Sequence, residues 1–498
     1  MTHTKYLFTD VPLETLLSWR ESAAPIKKTP IHLSMVHSCA MTLCPNLETK
    51  GSYHKPSPIL LLLWKPRTSR KRWASVFLVV FVLSLTACGA ALGEPTSQFN
   101  GSLPATITPA PLPTLTPAPT AGPSQRVSIW LDWKPHELQS LYQAIEEFQT
   151  DHSDVEFAIT YRPRSDLLSA FENAASTGRG PSILLGPSQW GPLLREKGYI
   201  LNLSPLLDPG MESDVHAIAW TQAAEGSQLF GLPLELQGIV LYRNRTLAAQ
   251  PVAELGEWFT IAEKLHSTNL LALNADLGLE VALPMMAACG VELFDARGDL
   301  LVFEQGGICW LELLSQIADL GRVVFDSEDD LELFKIGQAA WLIGSTELRA
   351  ELTEAIGVTN LKVDPWPLYD ATGFPLRGFT WSENAYLVAG STESDLEASW
   401  TFLQFLFGHQ GQQILSDPAG AAHIPSTSAL DPPDSLMLEA SSMLRAGVPL
   451  PLRDELTLAQ EPLMAAIQSA VLQGSDPAFA LKMAEERLDL LRSSSQTP

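Results

Sequence analysis

"VSIWLDWKPHELQSLYQAIEEFQTDHSDVEFAITYRPRSDLLSAFENAASTGRGPSILLG", residues 127–186, decides the fold. "VSIWL" (127–131) is a short apolar run suited to a buried strand. Pro135 then opens a stretch in which Leu138, Leu141, Tyr142, Ile145 and Phe148 recur at helical spacing; a proline in the first turn gives up an N–H that has no intrahelical partner there. "VEFAITY" (155–161) sets Val155, Phe157, Ile159 and Tyr161 on alternate positions, the period of a strand. Ser165 is placed to cap a second helix in which Leu168, Phe171 and Ala175 share a face, and "SILLG" (182–186) reads as a third buried strand. Strand, helix, strand, helix, strand is the signature of a parallel sheet wrapped by helices, and ligands gather outside the carboxyl ends of such strands. Those ends are "DWK" (132–134) and "GPSQWG" (186–191).

Toward the N-terminus, Arg70, Lys71 and Arg72 precede "WASVFLVVFVLSLTA" (73–87), which ends at Cys88. A basic lead, an apolar core and a narrowing to small residues is the order of a secretory signal, and the run is shorter than the roughly 20 residues that cross a bilayer. The Leu85-Thr86-Ala87-Cys88 ending resembles the lipobox of bacterial lipoproteins, which implies that Cys88 becomes residue one of the mature chain and carries a diacylglycerol. Residues 70–88 are thus read as a lipoprotein signal peptide. Residues 89–125, rich in proline and threonine, cannot bury much surface and are read as an extended tether. Residues 1–69 show no steady period and precede the signal, so they are read as a non-native or unstructured extension, with translation beginning shortly before Arg70.

The chain's net charge is −24, and the part beyond this region is more acidic still, since the first 87 residues carry more Lys and Arg than Asp and Glu. So acidic a body argues against nucleic acid as a partner. Of the five cysteines only Cys88, Cys289 and Cys309 lie in the mature part, too few for a disulfide-built scaffold. Cys289 and Cys309 either pair outside the cell or serve as two small apolar core residues. From Val127 onward roughly 370 residues remain, more than one ordinary core holds and enough for two lobes.

"GPSILLGPSQWGPLLREKGYILNLSPLL" (180–207) resembles a stretch of the extracellular solute-binding proteins of ABC importers, family 1, the maltose-binding-protein-like cluster. "FGLPLELQGIVLYRNRTL" (230–247), "FKIGQAAWLIGSTEL" (334–348), "GFTWSENAYLVAGSTESDLEASWTFLQFLFGHQGQQ" (378–413) and "GAAHIPSTSAL" (420–430) follow in that family's order. Arg243 stands where the family has an aromatic, Glu257-Trp258 where it has Thr-Trp, and Ser345-Thr346 where a tryptophan often follows the glycine. The resemblance implies an α/β, periplasmic-binding-protein-like fold of two lobes, each a central β-sheet flanked by helices, with the ligand cleft at the hinge. Residues 126–235 and 368–415 are expected to form the N-terminal lobe, and 236–367 and 416–498 the C-terminal lobe. Hinge closure on a ligand would present a state that permease subunits recognise.

No HExxH, GxSxG, P-loop or paired CxxC is present, so neither catalysis nor a cofactor or metal is expected. "DSEDDLELF" (326–334) lacks the glycine a calcium loop needs at its sixth position and is read as solvated acidic surface, as are Glu146-Glu147 and Asp329-Asp330. A neutral sugar offers apolar CH faces and a rim of hydroxyls, so its cleft needs flat aromatics beside hydrogen-bonding groups. Three tryptophans meet that description at loop positions matching the family's cleft: Trp133 beside Asp132, Trp190 beside Ser188 and Gln189, and Trp381 beside Ser382, Glu383 and Asn384. Gln237 falls where the crossing segment faces the ligand, and Ser345 and Thr346 where the family's tryptophan would be. Trp130, Trp341 and Trp400 lie inside apolar runs and are assigned to packing. The expected function is a lipid-anchored, extracytoplasmic, monomeric binding component of an ABC transporter for a sugar or oligosaccharide. The alternatives are a surface-anchored carbohydrate hydrolase or lyase, for which Asp132, Glu235 and Glu383 supply carboxyls without a pattern that selects a pair, and a ligand sensor.

Overall fold

The computed structural model describes residues 125–295, 300–325, 327–452 and 454–495. Cys88, the run before it, the tether up to residue 124 and residues 1–69 lie outside the described residues.

The unit expected from residues 127–186 is present as β1 (Gln125–Leu131), α1 (Pro135–Asp151), β2 (Val155–Tyr161), α2 (Arg164–Ala175) and β3 (Ile183–Pro187), with β1 parallel to both β2 and β3. Two details differ from the sequence reading. Tyr142 is exposed, because α1 turns Leu141, Ala144, Ile145 and Phe148 to the core and leaves Tyr142 outside that stripe. α2 starts at Arg164 directly after Pro163, so Ser165 lies within the first turn and bonds Asp166 instead of capping; Leu167, not Leu168, shares the buried face with Phe171.

β4 (Leu232–Asn244) is buried along its whole length, as its near-continuous apolar sequence requires. Beyond it follow α3 (Leu255–His266), β5 (Leu271–Asp276), α4 (Gly307–Asp319), β6 (Gly321–Val324), α5 (Asp329–Lys335), β7 (Ala339–Ser345) and β8 (Leu361–Asp364). β9 (Phe379–Leu387), α6 (Glu393–Phe407), α7 (Ser435–Arg445), β10 (Val448–Pro449), α8 (Asp454–Gln473) and α9 (Pro477–Ser495) complete the chain. The strands run β2-β1-β3-β9-β4-β7-β5-β6, with β8 on β4 and β10 on β9. β4 therefore crosses the molecule: its first half pairs antiparallel with β9, its second half with β7 and β8.

One core gathers β1, α1 and α6 around Phe148 and Phe402, whose rings meet at 5.1 Å. A second gathers β5, α3, α4 and α8 around Trp258, Trp310 and Trp341. Trp341 is fully buried, whereas Trp130 and Trp400 are half-buried and pack on the core flanks, Trp130 under the Arg162 guanidinium. Cys289 and Cys309 form a disulfide that ties the turn at Leu283–Cys289 to α4. Among the described residues no helix is long and apolar enough to cross a membrane.

Candidate functional site

Side chains alternate across a strand, so β9 carries Trp381 and Glu383 on one face and Thr380, Ser382 and Asn384 on the other. Register sets Gln237 of β4 opposite Trp381 and Glu235 opposite Glu383, with a bulge directly after Glu383 that re-aims the strand. Trp381 Nε1 donates to Gln237 Oε1 at 2.8 Å, and Gln237 Nε2 donates to Glu235 Oε2 at 2.9 Å. Glu235 Oε2 stands 3.6 Å from His423 Nε2, which is also 3.6 Å from Glu137 Oε1 in the first turn of α1. Trp133 meets the His423 ring edge-on at 4.8 Å.

From the other side, Asp132 at the end of β1 pairs with Arg164 at the start of α2. The Arg164 guanidinium lies 3.6 Å from Glu383 and above the Trp190 ring at 5.5 Å. A chain of polar groups thus runs from the carboxyl ends of β1 and β3 to the crossing strands β4 and β9, where the strand-end rule places a ligand. Ser345 accepts the backbone N–H of Glu347, Thr346 accepts that of Gly238, and Ser345 and Trp381 both border a cavity of about 110 Å³. Gln189 is half-buried, with neither amide atom partnered.

Ser188, Ser382 and Asn384 go elsewhere. Ser188 Oγ donates to Gln222 Oε1 at 2.9 Å, Asn384 Nδ2 donates to the Gln222 carbonyl at 3.0 Å, and Ser382 Oγ donates to Asn384 Oδ1 at 2.7 Å. Strand alternation turns Ser382 and Asn384 away from Trp381, Ser188 comes from the short helical turn Ser188–Trp190 after β3, and these fully buried groups are satisfied through one another and Gln222, so they brace β9. Gln222 on that side borders a separate cavity of about 510 Å³, lined also by Met286, Phe294, Arg377 and Leu452. Trp133, only 4% exposed, belongs to the core as much as to the polar chain. Asp330, expected in solvent, is buried: α5 begins beside β5, and Asp330 accepts the N–H of Leu331 and faces the smaller cavity.

Burial dominates the electrostatics. It pushes Glu383 up to about 8 and Glu347 up to about 7, against the opposing pull of Arg164 on the first and of Lys134 and Arg164 on the second. Glu235 and Asp132 are raised for the same reason, with His423 and Arg164 respectively pulling down. Burial would lower His423, but Glu235 and Glu137 outweigh it and hold it raised; burial likewise raises Glu137, and the His423 contact outweighs it.

Glu137, Arg164, Glu347 and His423 were not singled out from the sequence. His423 stands inside "GAAHIPSTSAL", and Glu137 follows Lys134 at the spacing that lets its carboxylate accept the Lys134 backbone N–H. Among the described residues no group of three or more His, Cys, Asp or Glu is arranged to hold a metal ion.

A family model described as bacterial extracellular solute-binding protein matches residues 143–439. A maltotriose-binding protein of Pyrococcus abyssi is 23% identical over 146 residues, 29% of this chain, and the chain covers about a third (32%) of that relative's length. Two solved structures share the fold over nearly their whole lengths. A cyclo/maltodextrin-binding protein complexed with maltotetraose superposes with a TM-score of 0.66 at 18% identity, covering 76% of this chain and 99% of that one. The GacH receptor of Streptomyces glaucescens, solved unliganded and with acarbose, gives 0.60 at 19% identity, covering 74% and 98%. The fold is that of the periplasmic-binding proteins, and with more than half of its length matched the chain belongs to the bacterial extracellular solute-binding protein family, whose members work outside the cytoplasm by binding a solute rather than transforming it.

Proposed function

We propose that this chain captures a sugar or oligosaccharide for an ABC importer. The observation that carries the reading is the run Trp381–Gln237–Glu235 across β9 and β4, a flat aromatic continuous with directed hydrogen-bonding groups. Names of relatives that bind maltotriose and maltotetraose support it. Residues 126–235 with 368–415 form one lobe, and 236–367 with 416–498 the other. β4 and β9 run between them, and the lobes close on the ligand by bending there. Diacylglycerol on Cys88 holds the protein at the outer face of the cell membrane, and the 89–125 tether gives it reach to the permease.

A thermal-shift series with maltose, maltotriose and maltotetraose tests the ligand class: a sugar at 100 times its dissociation constant should add roughly 2.7 kcal/mol of stability. No shift with any oligosaccharide would remove the sugar reading. Replacing Cys88 by Ser should leave a folded protein that no longer enters the detergent phase; retained partitioning would make the apolar segment the anchor.

A further inference from the structure

His423 is 1% exposed, and neither of its ring nitrogens makes a hydrogen bond. The backbone around it imposes its place. The Leu236 N–H of β4 donates to the Ile424 carbonyl at 2.9 Å, the Ala421 N–H donates to Ser140 Oγ of α1 at 2.8 Å, and the Arg349 guanidinium donates to the Ala422 carbonyl. Ala422, directly before the histidine, takes φ 55°, a left-handed conformation that strains an alanine and that these bonds maintain. From this turn Nε2 stands 3.6 Å from Glu137 Oε1 and 3.6 Å from Glu235 Oε2, an imidazole between two carboxylates. Glu383 of β9, Glu347 and Arg349 after β7, and Lys134 beside Glu137 also act on this trio.

Glu235 in turn decides which way the Gln237 amide points. An ionised carboxylate only accepts, so it draws Gln237 Nε2 and leaves Oε1 to receive Trp381 Nε1. A protonated Glu235 can donate to Oε1 instead, and the turned amide would set its N–H groups against the Trp381 N–H. Two buried carboxylates this close stay ionised only with a positive charge between them; without it, burial drives a proton onto one. We propose that His423 is a positioning residue of the ligand site, an imidazolium that keeps Glu235 ionised and so fixes Gln237 and the Trp381 ring in the orientation the solute meets; this rests on the sugar reading above. Burial would lower His423, yet Glu235 and Glu137 hold it raised, which fits a charged ring at neutral pH.

The indole N–H resonance of Trp381 in the isotope-labelled full chain, assigned by its loss in Trp381→Phe, reports the hydrogen bond to Gln237 without any ligand. The step in its pH titration that vanishes in Glu235→Gln belongs to Glu235. His423→Phe should move that step up by about one pH unit or more, and Glu137→Gln should move it down. Calorimetric titration with maltotriose at pH 7 should find His423→Phe binding about fivefold more weakly than wild type, with the gap closing toward pH 9 as Glu235 releases its proton. A histidine that merely packs would leave the gap constant. Should His423→Phe fail to fold, His423→Gln, polar but uncharged, serves in its place. A step unmoved by these substitutions, a step removed by Glu383→Gln instead of Glu235→Gln, or a gap that persists to pH 9 would overturn the proposal. Maltotriose that fails to bind the wild type would sink the sugar reading alone, and the indole titration would still decide the role of His423.

Discussion

Arg243 of β4 donates through Nε to both oxygens of Asp364 on the neighbouring β8, at 2.9 and 2.7 Å, with both residues buried. Trp341 Nε1 donates to the same carboxylate at 3.0 Å, and Arg243 also reaches the Ala248 carbonyl at 2.7 Å. The arginine that replaces the family's aromatic at this position is thus matched by an acid 121 residues later. Removing one partner strands the other charge, so Asp364→Ala should cost about 3–5 kcal/mol in urea unfolding. The double replacement Arg243→Met with Asp364→Leu should recover most of that loss, and a double variant as unstable as the single one would mean the pair is not acting as a unit.

Gly186, next to last in β3, lies directly beneath the Trp190 ring, where an added Cβ would fall inside the ring's van der Waals surface. Gly186→Ala should therefore destabilise the fold by about 1–3 kcal/mol. Combining it with Trp190→Ala should cost clearly less than the sum of the two, since the clash disappears with the ring. Additive losses in a denaturant series would place the strain elsewhere.

The β-α-β-α-β start was legible because each element declares itself within a dozen residues: "VEFAITY" alternates, and Leu141, Ile145 and Phe148 follow the helical period. Trp381, Gln237 and Glu235 were within reach of the same reasoning, as strand alternation puts Glu235 and Gln237 on one face. His423 was not, because it joins Glu137 and Glu235 from a turn 286 and 188 residues away, and no local period records such a meeting. Asp330 misleads for the complementary reason: "DSEDDLELF" looks solvated until the end of β5 covers it. Ser382 and Asn384 had suitable chemistry on the wrong face, a matter of one residue of register, and Ser188, in the turn after β3, bonds Gln222.

The Cys289–Cys309 disulfide closes a loop of 20 residues against α4. Chain-entropy arithmetic for a loop of that length gives about 3 kcal/mol, so the Cys289→Ala, Cys309→Ala pair should lower stability by about that amount in guanidinium unfolding. Reductant should do the same to the wild type and nothing to the variant. Unchanged stability on reduction would mean the rest of the lobe already restricts the unfolded chain.

Stability should fall as the pH rises from about 4.5 toward 8 in the free protein. Glu347 and Glu383 are raised to about 7 and about 8 from an ordinary 4.5, so the folded state holds protons that the unfolded chain has already released. Their contribution is complete below about pH 4.5 and is lost as the pH passes through the folded values. His423, also raised, acts in the same direction, while Glu137 is lowered and its contribution is lost only in acid, below this window. Melting temperatures measured by calorimetry every half unit from pH 5 to 8.5 should therefore decline, and Glu347→Gln with Glu383→Gln should flatten the decline, since amides do not titrate. A wild-type profile rising over the same range would show that these carboxyls are ionised at neutral pH and paired with more positive charge than Arg164 and Lys134 supply.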